Sequence, residues 1–247
     1  MRNIWTIAKR EYKIYFNSPL AYIVMLINLG VIGVIFAINI VNLSNNPFSM
    51  GQAPDTTIVT GPLAFMLVFS VPALTMRLLA DEQRMGTLEL MLTAPVRDWE
   101  LVVGKWLGSF FFLLTLIAIT LIFPLILHNI TTPGIDQLLM LSSYLGIILV
   151  AAAFLAIGVC VSAMFQNQFA AFFLAMGILV FLWFLIGIPA QVLSTGSGFF
   201  SYLDMNSRFY NSLNSGIINL TDIVYFLSVI ALGLFVGTTA IEIRRWR

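Results

Sequence analysis

The sequence predicts an all-α polytopic membrane protein with six transmembrane helices, and three observations lead there. The 247 residues are 60% hydrophobic and only 9% charged, against roughly 25% charged in soluble domains, so the folded surface must face hydrocarbon. Six runs are long and apolar enough to cross a bilayer core of ~30 Å at about 1.5 Å per helical residue. They are 20–41, 61–79, 101–127, 138–165, 169–193 and 222–243. Charge is also one-sided. An even number of spans puts both termini on one side, and eleven of the twelve Lys and Arg then fall there: Arg2, Lys9, Arg10, Lys13, Arg77, Arg84, Arg97, Lys105, Arg244, Arg245 and Arg247. Only Arg208 lies opposite, among loops made acidic by Asp55, Asp136, Asp204 and Asp222. This bias places both termini in the cytosol. Five or seven spans would scramble it.

The elements follow in order. Residues 1–19 make an amphipathic helix, with Ile4, Trp5, Ala8, Tyr12, Tyr15 and Phe16 on one side and Lys9, Arg10 and Lys13 largely on the other. Such a helix lies in the headgroup plane; the alternative is a plain basic flank that enforces topology. Asn17-Ser18-Pro19 breaks it before the first span. That span is too long for the apolar part of a signal peptide, so it is expected to stay. The fifth span is interrupted near Gly187 and Pro189. Residues 194–221 start with Ser-Thr-Gly-Ser-Gly and continue with Phe199, Phe200, Tyr202, Phe209 and Tyr210. That mixture predicts short helices folded back against the outer membrane surface. With no segment of soluble-domain size, residues 1–247 form a single domain.

Several chemistries are excluded. Cys160 and His128 are the only residues of their kinds, so no disulfide and no His-based metal cluster can form. No span carries an ionisable group near its middle, which argues against ion-coupled transport and against a membrane-embedded enzyme. No Gly-x-x-x-x-Gly-Lys-Ser/Thr sequence is present, so the chain has no P-loop for ATP. Energy for uphill transport would have to come from another subunit.

One segment is built to stay out of lipid. Residues 81–100, between the second and third spans, carry Asp81, Glu82, Arg84 and Glu89 on a polar face and Met85, Leu88, Met91 and Leu92 as an apolar stripe. Gly86 permits a bend, Pro95 stops the short helix, and Asp98 is placed to cap the third span. A short helix tied to two spans can transmit a push from a partner's groove; the plainer reading is a surface helix packed on the bundle. Within the first span, Asn28, Asn39 and Asn42 share a face. They either line a substrate path or hydrogen-bond between helices. Gly104/Gly108 and Gly233/Gly237 have the GxxxG spacing that permits close helix contact, and Pro72, Pro124 and Pro189 lie within spans, where they kink or shape the helices.

The patch resembles the ABC-2 family of transporter permeases. The resemblance rests on Thr75-Met76-Arg77, Asp81-Glu82, the run from Gly86 to Val96, Trp99-Glu100 and Gly104-Lys105. Lys9-Arg10-Glu11, Ser18-Pro19, Ala21-Tyr22, Gly216-Ile217-Ile218-Asn219, Asp222, Tyr225-Phe226 and Arg244-Arg245-Trp246 extend it over nearly the whole chain. Within the family the chain is most similar to the gliding-motility and nitrous-oxide-reductase maturation branch. The resemblance implies a six-helix domain that dimerises with a second copy or homologue and docks cytosolic ATPase subunits. It implies a coupling helix at about 84–95, an N-terminal interfacial helix at 2–16 and an outer re-entrant hairpin within 194–220. Branch members often have a partner with a large extracytoplasmic domain, which would here be a separate accessory protein.

The expectation is therefore the plasma (inner) membrane subunit of an ATP-driven exporter. It is itself non-catalytic and without a cofactor, ATP and Mg residing on the partner, and it contacts lipid and no nucleic acid. Coupling to the ATPase is expected at Glu82, Arg84, Gly86, Thr87, Leu88, Glu89, Leu90, Leu92 and Pro95. Asn28, Asn39 and Asn42 are the pathway residues. The second reading is an ATP-driven scaffold that does mechanical or assembly work on an outer partner without substrate flux.

Overall fold

A computed structural model describes residues 2–45, 55–85, 97–131, 134–192 and 197–245. Every regular element among them is helical. The order is α1 (Arg2–Asn17), α2 (Pro19–Asn45), α3 (Thr57–Thr75), α4 (Ala80–Arg84), α5 (Asp98–Thr120), α6 (Ile122–Ile130), α7 (Gln137–Met164) and α8 (Gln168–Val180). A π-turn (Phe181–Leu185) follows, then α9 (Gly187–Val192), α10 (Ser197–Leu203), α11 (Met205–Tyr210), a 3₁₀ turn (Leu213–Ser215) and α12 (Leu220–Arg245). Six helical stretches are long and apolar enough to cross a membrane: Pro19–Asn42, Thr57–Arg84, Asp98–Ile130, Gln137–Met164, Gln168–Pro189 and Leu220–Ile243. The fold class is the expected one.

The bundle has a centre and a periphery. Of the apolar stretch in α7, 72% is buried, and of that in α3, 67%, against 22% for α2 and for α12. α7 is therefore the post around which the others pack. Its small residues allow this. Gly158 receives the Thr75 side chain of α3, and Ala156 backbone lies 3.0 Å from where a Cβ on Gly233 of α12 would stand. Gly237, one turn on, meets the Cα of Cys160. The outward faces of α2, α8 and α12 expose Leu26, Ile38, Phe169, Phe173, Leu232 and Phe235, as lipid-facing or partner-facing helices do.

Proline shapes two spans. Pro124 has no N–H to offer the Thr120 carbonyl one turn back, and the helix breaks at Leu121 between α5 and α6. Tyr144 of α7 supplies the missing donor, its hydroxyl reaching Thr120 O at 3.1 Å. Tyr144→Phe is expected to leave that carbonyl unsatisfied at a cost of about 1–3 kcal/mol, measurable as a lowered melting temperature of the detergent-solubilised protein. In the fifth span the interruption starts earlier than Gly187. The π-turn at 181–185 closes with Ile186 N–H donating to Phe181 O at 2.9 Å. Pro189 then sits in the first turn of α9, where its missing N–H costs little. The wider turn places Trp183 inward, almost fully buried, edge-on to Phe154.

Both ends of the bundle are closed by polar contacts. At the end away from the termini, Asp204 caps α11 through Asn206 N–H and Ser207 N–H. Tyr210 Oη donates to Gly61 O at 2.9 Å, and Thr60 Oγ1 to Asn214 Oδ1 at 2.6 Å, so the short helices are held on the first turn of α3. Arg208 pairs with Asp222 at 2.6 Å and lies 4.5 Å and 4.6 Å from the ring centroids of Tyr202 and Tyr225. The opposite end, which holds α1, α4 and the start of α5, carries the candidate site.

Candidate functional site

The root of the 81–100 segment is organised by one ammonium group. Lys105 lies on the second turn of α5 and is 1% exposed. A lysine has three N–H donors, and Lys105 commits all three: to Glu11 Oε1 of α1 at 2.8 Å, to Glu82 Oε1 of α4 at 2.7 Å and to the Leu78 carbonyl at 2.8 Å. Charge-assisted bonds of this length are about twice as strong as neutral ones. Three elements distant in sequence thus meet at one buried atom.

A second clamp holds the same root from the side of α7. Ser162 Oγ accepts both Leu79 N–H at 3.1 Å and Ala80 N–H at 3.2 Å. These are orphan donors at the start of α4. Gln83 Nε2 donates to Ala163 O at 2.7 Å. The chain leaving α3 is therefore fixed to the end of the central post before it reaches residue 86.

The far end of the segment is also tied, and again by α1. Glu100 accepts the backbone N–H of Arg97 at 3.1 Å and Asn3 Nδ2 at 3.2 Å. The expected cap of the third span, Asp98, is instead its first helical residue, and Glu100 takes the capping role from within the first turn. α1 runs in the same direction as α5, from Asn3 beside Glu100 to Tyr15 stacked on Phe112 with ring centroids 5.0 Å apart. It is a splint across both ends of the segment.

Close approach makes the splint possible. At Gly108 a Cβ would stand 2.5 Å from Glu11 Cβ and 2.9 Å from Ala8 O, and at Gly104 it would stand 2.8 Å from Ile7. The GxxxG spacing read from the sequence serves α1 here. Tyr15 closes the junction: its hydroxyl donates to Leu74 O at 3.0 Å and lies 3.1 Å from Ser109 Oγ. Burial pushes the phenol pKa well above its usual value, so it stays neutral. Beside the triad opens a cleft of about 270 Å³ bordered by Ile14, Arg77 and Asp81.

Of the expected coupling residues, Glu82 is in the triad and Arg84 is exposed at the last turn of α4. Gly86, Thr87, Leu88, Glu89, Leu90, Leu92 and Pro95 lie outside the described residues. The three asparagines of the first span have different surroundings. Asn28 is fully buried and donates to Ser70 Oγ of α3 and to Val24 O, each at 2.7 Å. Asn39 donates to Ile35 O at 2.8 Å and is half-buried, and Asn42 is exposed. Sequence reasoning used Lys105 in the charge bias and, with Glu11, in the family resemblance, but assigned neither a structural role. The available signal was a lysine set between two glycines inside an otherwise apolar run.

The family follows from a comparison of the whole sequence. The model of the ABC-2 family transporter protein matches residues 39–241. The chain belongs to the ABC-2 family. No curated protein matches it. An ABC-2 membrane component is a non-catalytic, multi-pass transmembrane subunit without a cofactor, and the ATPase sits on a partner chain. In this ABC-2 subunit the matched region takes in α3, α5, α7 and, of the junction, Lys105, Glu82 and Ser162, but begins after α1 and so leaves out Glu11.

Proposed function

We propose that this chain is the membrane subunit of an ATP-driven exporter, worked from the cytosol through residues 81–100. Two copies, or one copy and a homologue, form the pathway, and ATP-driven closure of the partner subunits pushes the segment and reorients the spans. The observation that carries this reading is the fixing of the segment near both ends, Glu82 onto α5 and Gln83 onto α7 at one and Glu100 onto α1 at the other. A lever moves helices only if its root is stiff. The cleft beside the triad supports the same reading, because Arg77 and Asp81 offer charges of both signs to a partner.

The bias of Lys and Arg puts the termini and this junction inside the cell, at the plasma (inner) membrane. Similarity to the gliding-motility and nitrous-oxide-reductase maturation branch is the ground for a separate extracytoplasmic accessory protein. Of the three asparagines, Asn39 and Asn42 have room to face a pathway, and Asn28 bonds between helices.

Purification of the tagged subunit is expected to bring down an ATPase chain. Glu89→Arg is expected to leave membrane insertion intact and to lower nucleotide-driven transport at least tenfold. Assembly and transport at wild-type levels in that variant would overturn the coupling role. Loss of function in outer-segment variants such as Arg208→Gln, with no flux in reconstituted vesicles under any condition, would favour the scaffold reading instead.

A further inference from the structure

A groove of about 600 Å³ runs between the exposed side of α1 and the third span. Trp5, Lys9 and Tyr12 form one wall, and Phe111, Leu114 and Ala118 form the other. The walls are apolar along their length. Trp5 stands edge-on to Phe111 with ring centroids 5.8 Å apart. The hydroxyls of Tyr12 and Thr115 lie 3.2 Å from one another and Thr115 Oγ1 donates to Phe111 O at 2.9 Å, so both have partners within the protein.

One charge borders the groove. Lys9 is exposed and makes no ion pair with a described residue. Arg10 and Lys13, on the same helix, are exposed as well, and the positive side of α1 continues past the groove. The wall at 111–118 belongs to a membrane span, so the groove opens into the lipid phase rather than into water. An amphiphile with an anionic head and a long apolar tail matches this arrangement at both ends.

We propose that the groove binds one anionic glycerophospholipid of the leaflet on the terminal side. One acyl chain lies along Phe111, Leu114 and Ala118, and the phosphate rests on Lys9. Trp5 sits at the boundary between head and tail, where indole is favoured. A lipid in this place would press α1 onto α5. The inference needs only a membrane-embedded chain and stands apart from the transport reading.

The test uses the full-length subunit, with any co-purifying partner, in nanodiscs containing phospholipids brominated on the acyl chain. Bromine quenches nearby indole, and the contribution of Trp5 is obtained by difference from Trp5→Phe. At equal mole fraction, brominated phosphatidylglycerol is expected to quench Trp5 more strongly than brominated phosphatidylcholine. Lys9→Gln is expected to lower that preference roughly fivefold, as loss of one basic group near an anionic surface does. Ala118→Phe, which fills the tail end, is expected to reduce quenching by both lipids. Equal quenching by the two headgroups in the wild-type protein overturns the proposal, as does a preference unchanged in Lys9→Gln. No quenching by either lipid also overturns it, and assigns the groove to a covering protein surface.

Discussion

Replacing Lys105 by Met is expected to destabilise the protein by about 3–5 kcal/mol, the cost of removing one partner from a buried ion pair. The reason is in the geometry. Lys105 is the ammonium that faces Glu11 and Glu82 at 2.8 Å and 2.7 Å, and it also satisfies the Leu78 carbonyl. Methionine keeps the volume and removes all three bonds. Two carboxylates then share a site without their cation, and α4 loses its hold on α1. Glu11→Gln and Glu82→Gln are expected to cost less each, because an amide still accepts from the ammonium. Combining Lys105→Met with Glu11→Leu and Glu82→Leu is expected to recover much of the loss, since apolar replacement of a whole buried charge cluster is often near neutral. Melting of the solubilised protein, followed by loss of soluble monodisperse protein, reads all of these. A Lys105→Met variant that melts with the wild type would show that the triad contributes nothing to holding the junction. If the root of the segment transmits force, the triple variant is expected to stay stable yet fail to couple, which separates folding from transport.

The spans and the junction differ in how legible they were, and the reason is physical. A transmembrane run is a one-dimensional property: about 20 residues without charge declare themselves, and the segment 138–165 matches α7 to within one residue at each end, while 101–127 is covered by α5 and α6 with the break at Leu121 between them. The amphipathic start was readable in the same way, but its inner face was not. Trp5 is read as part of the apolar side of a helix in the headgroup plane, and it is 60% exposed, as a lipid-facing indole is; Glu11 is given no place on either side, and it is 7% exposed. A carboxylate goes inside only when its partner goes with it, and Lys105 is 94 residues away. Periodicity cannot report a pairing of that range. The break in the fifth span was placed near Gly187 and Pro189 because those residues punctuate sequence. The structure starts the interruption earlier, in the π-turn that buries Trp183, and leaves Pro189 in the first turn of α9.

The second large effect is expected at Gly108, where Val should detach α1 from α5. Even the first carbon of a side chain there would stand 2.5 Å from Glu11 Cβ and 2.9 Å from the Ala8 carbonyl oxygen, with Tyr12 N at 3.3 Å. Two of these three neighbours are backbone atoms, which cannot rotate away. The helices must separate, and separation pulls Glu11 off Lys105 at one end and Asn3 off Glu100 at the other. Overpacking of this kind costs about 1–3 kcal/mol, and the loss of buried ionic contacts adds to it. Hydrogen exchange in lipid nanodiscs distinguishes this from general unfolding. Residues 2–17, 81–85 and 97–100 should exchange at least tenfold faster in Gly108→Val, while the amides of α7 keep their protection. Gly30→Ala supplies the control, because nothing lies within 4 Å of its added carbon and alanine is the better helix former. It should be neutral or slightly stabilising. Unchanged exchange at both ends of the segment in Gly108→Val would mean that α1 is only an attachment to the bundle, and that the segment's stiffness comes from the Ser162 clamp alone.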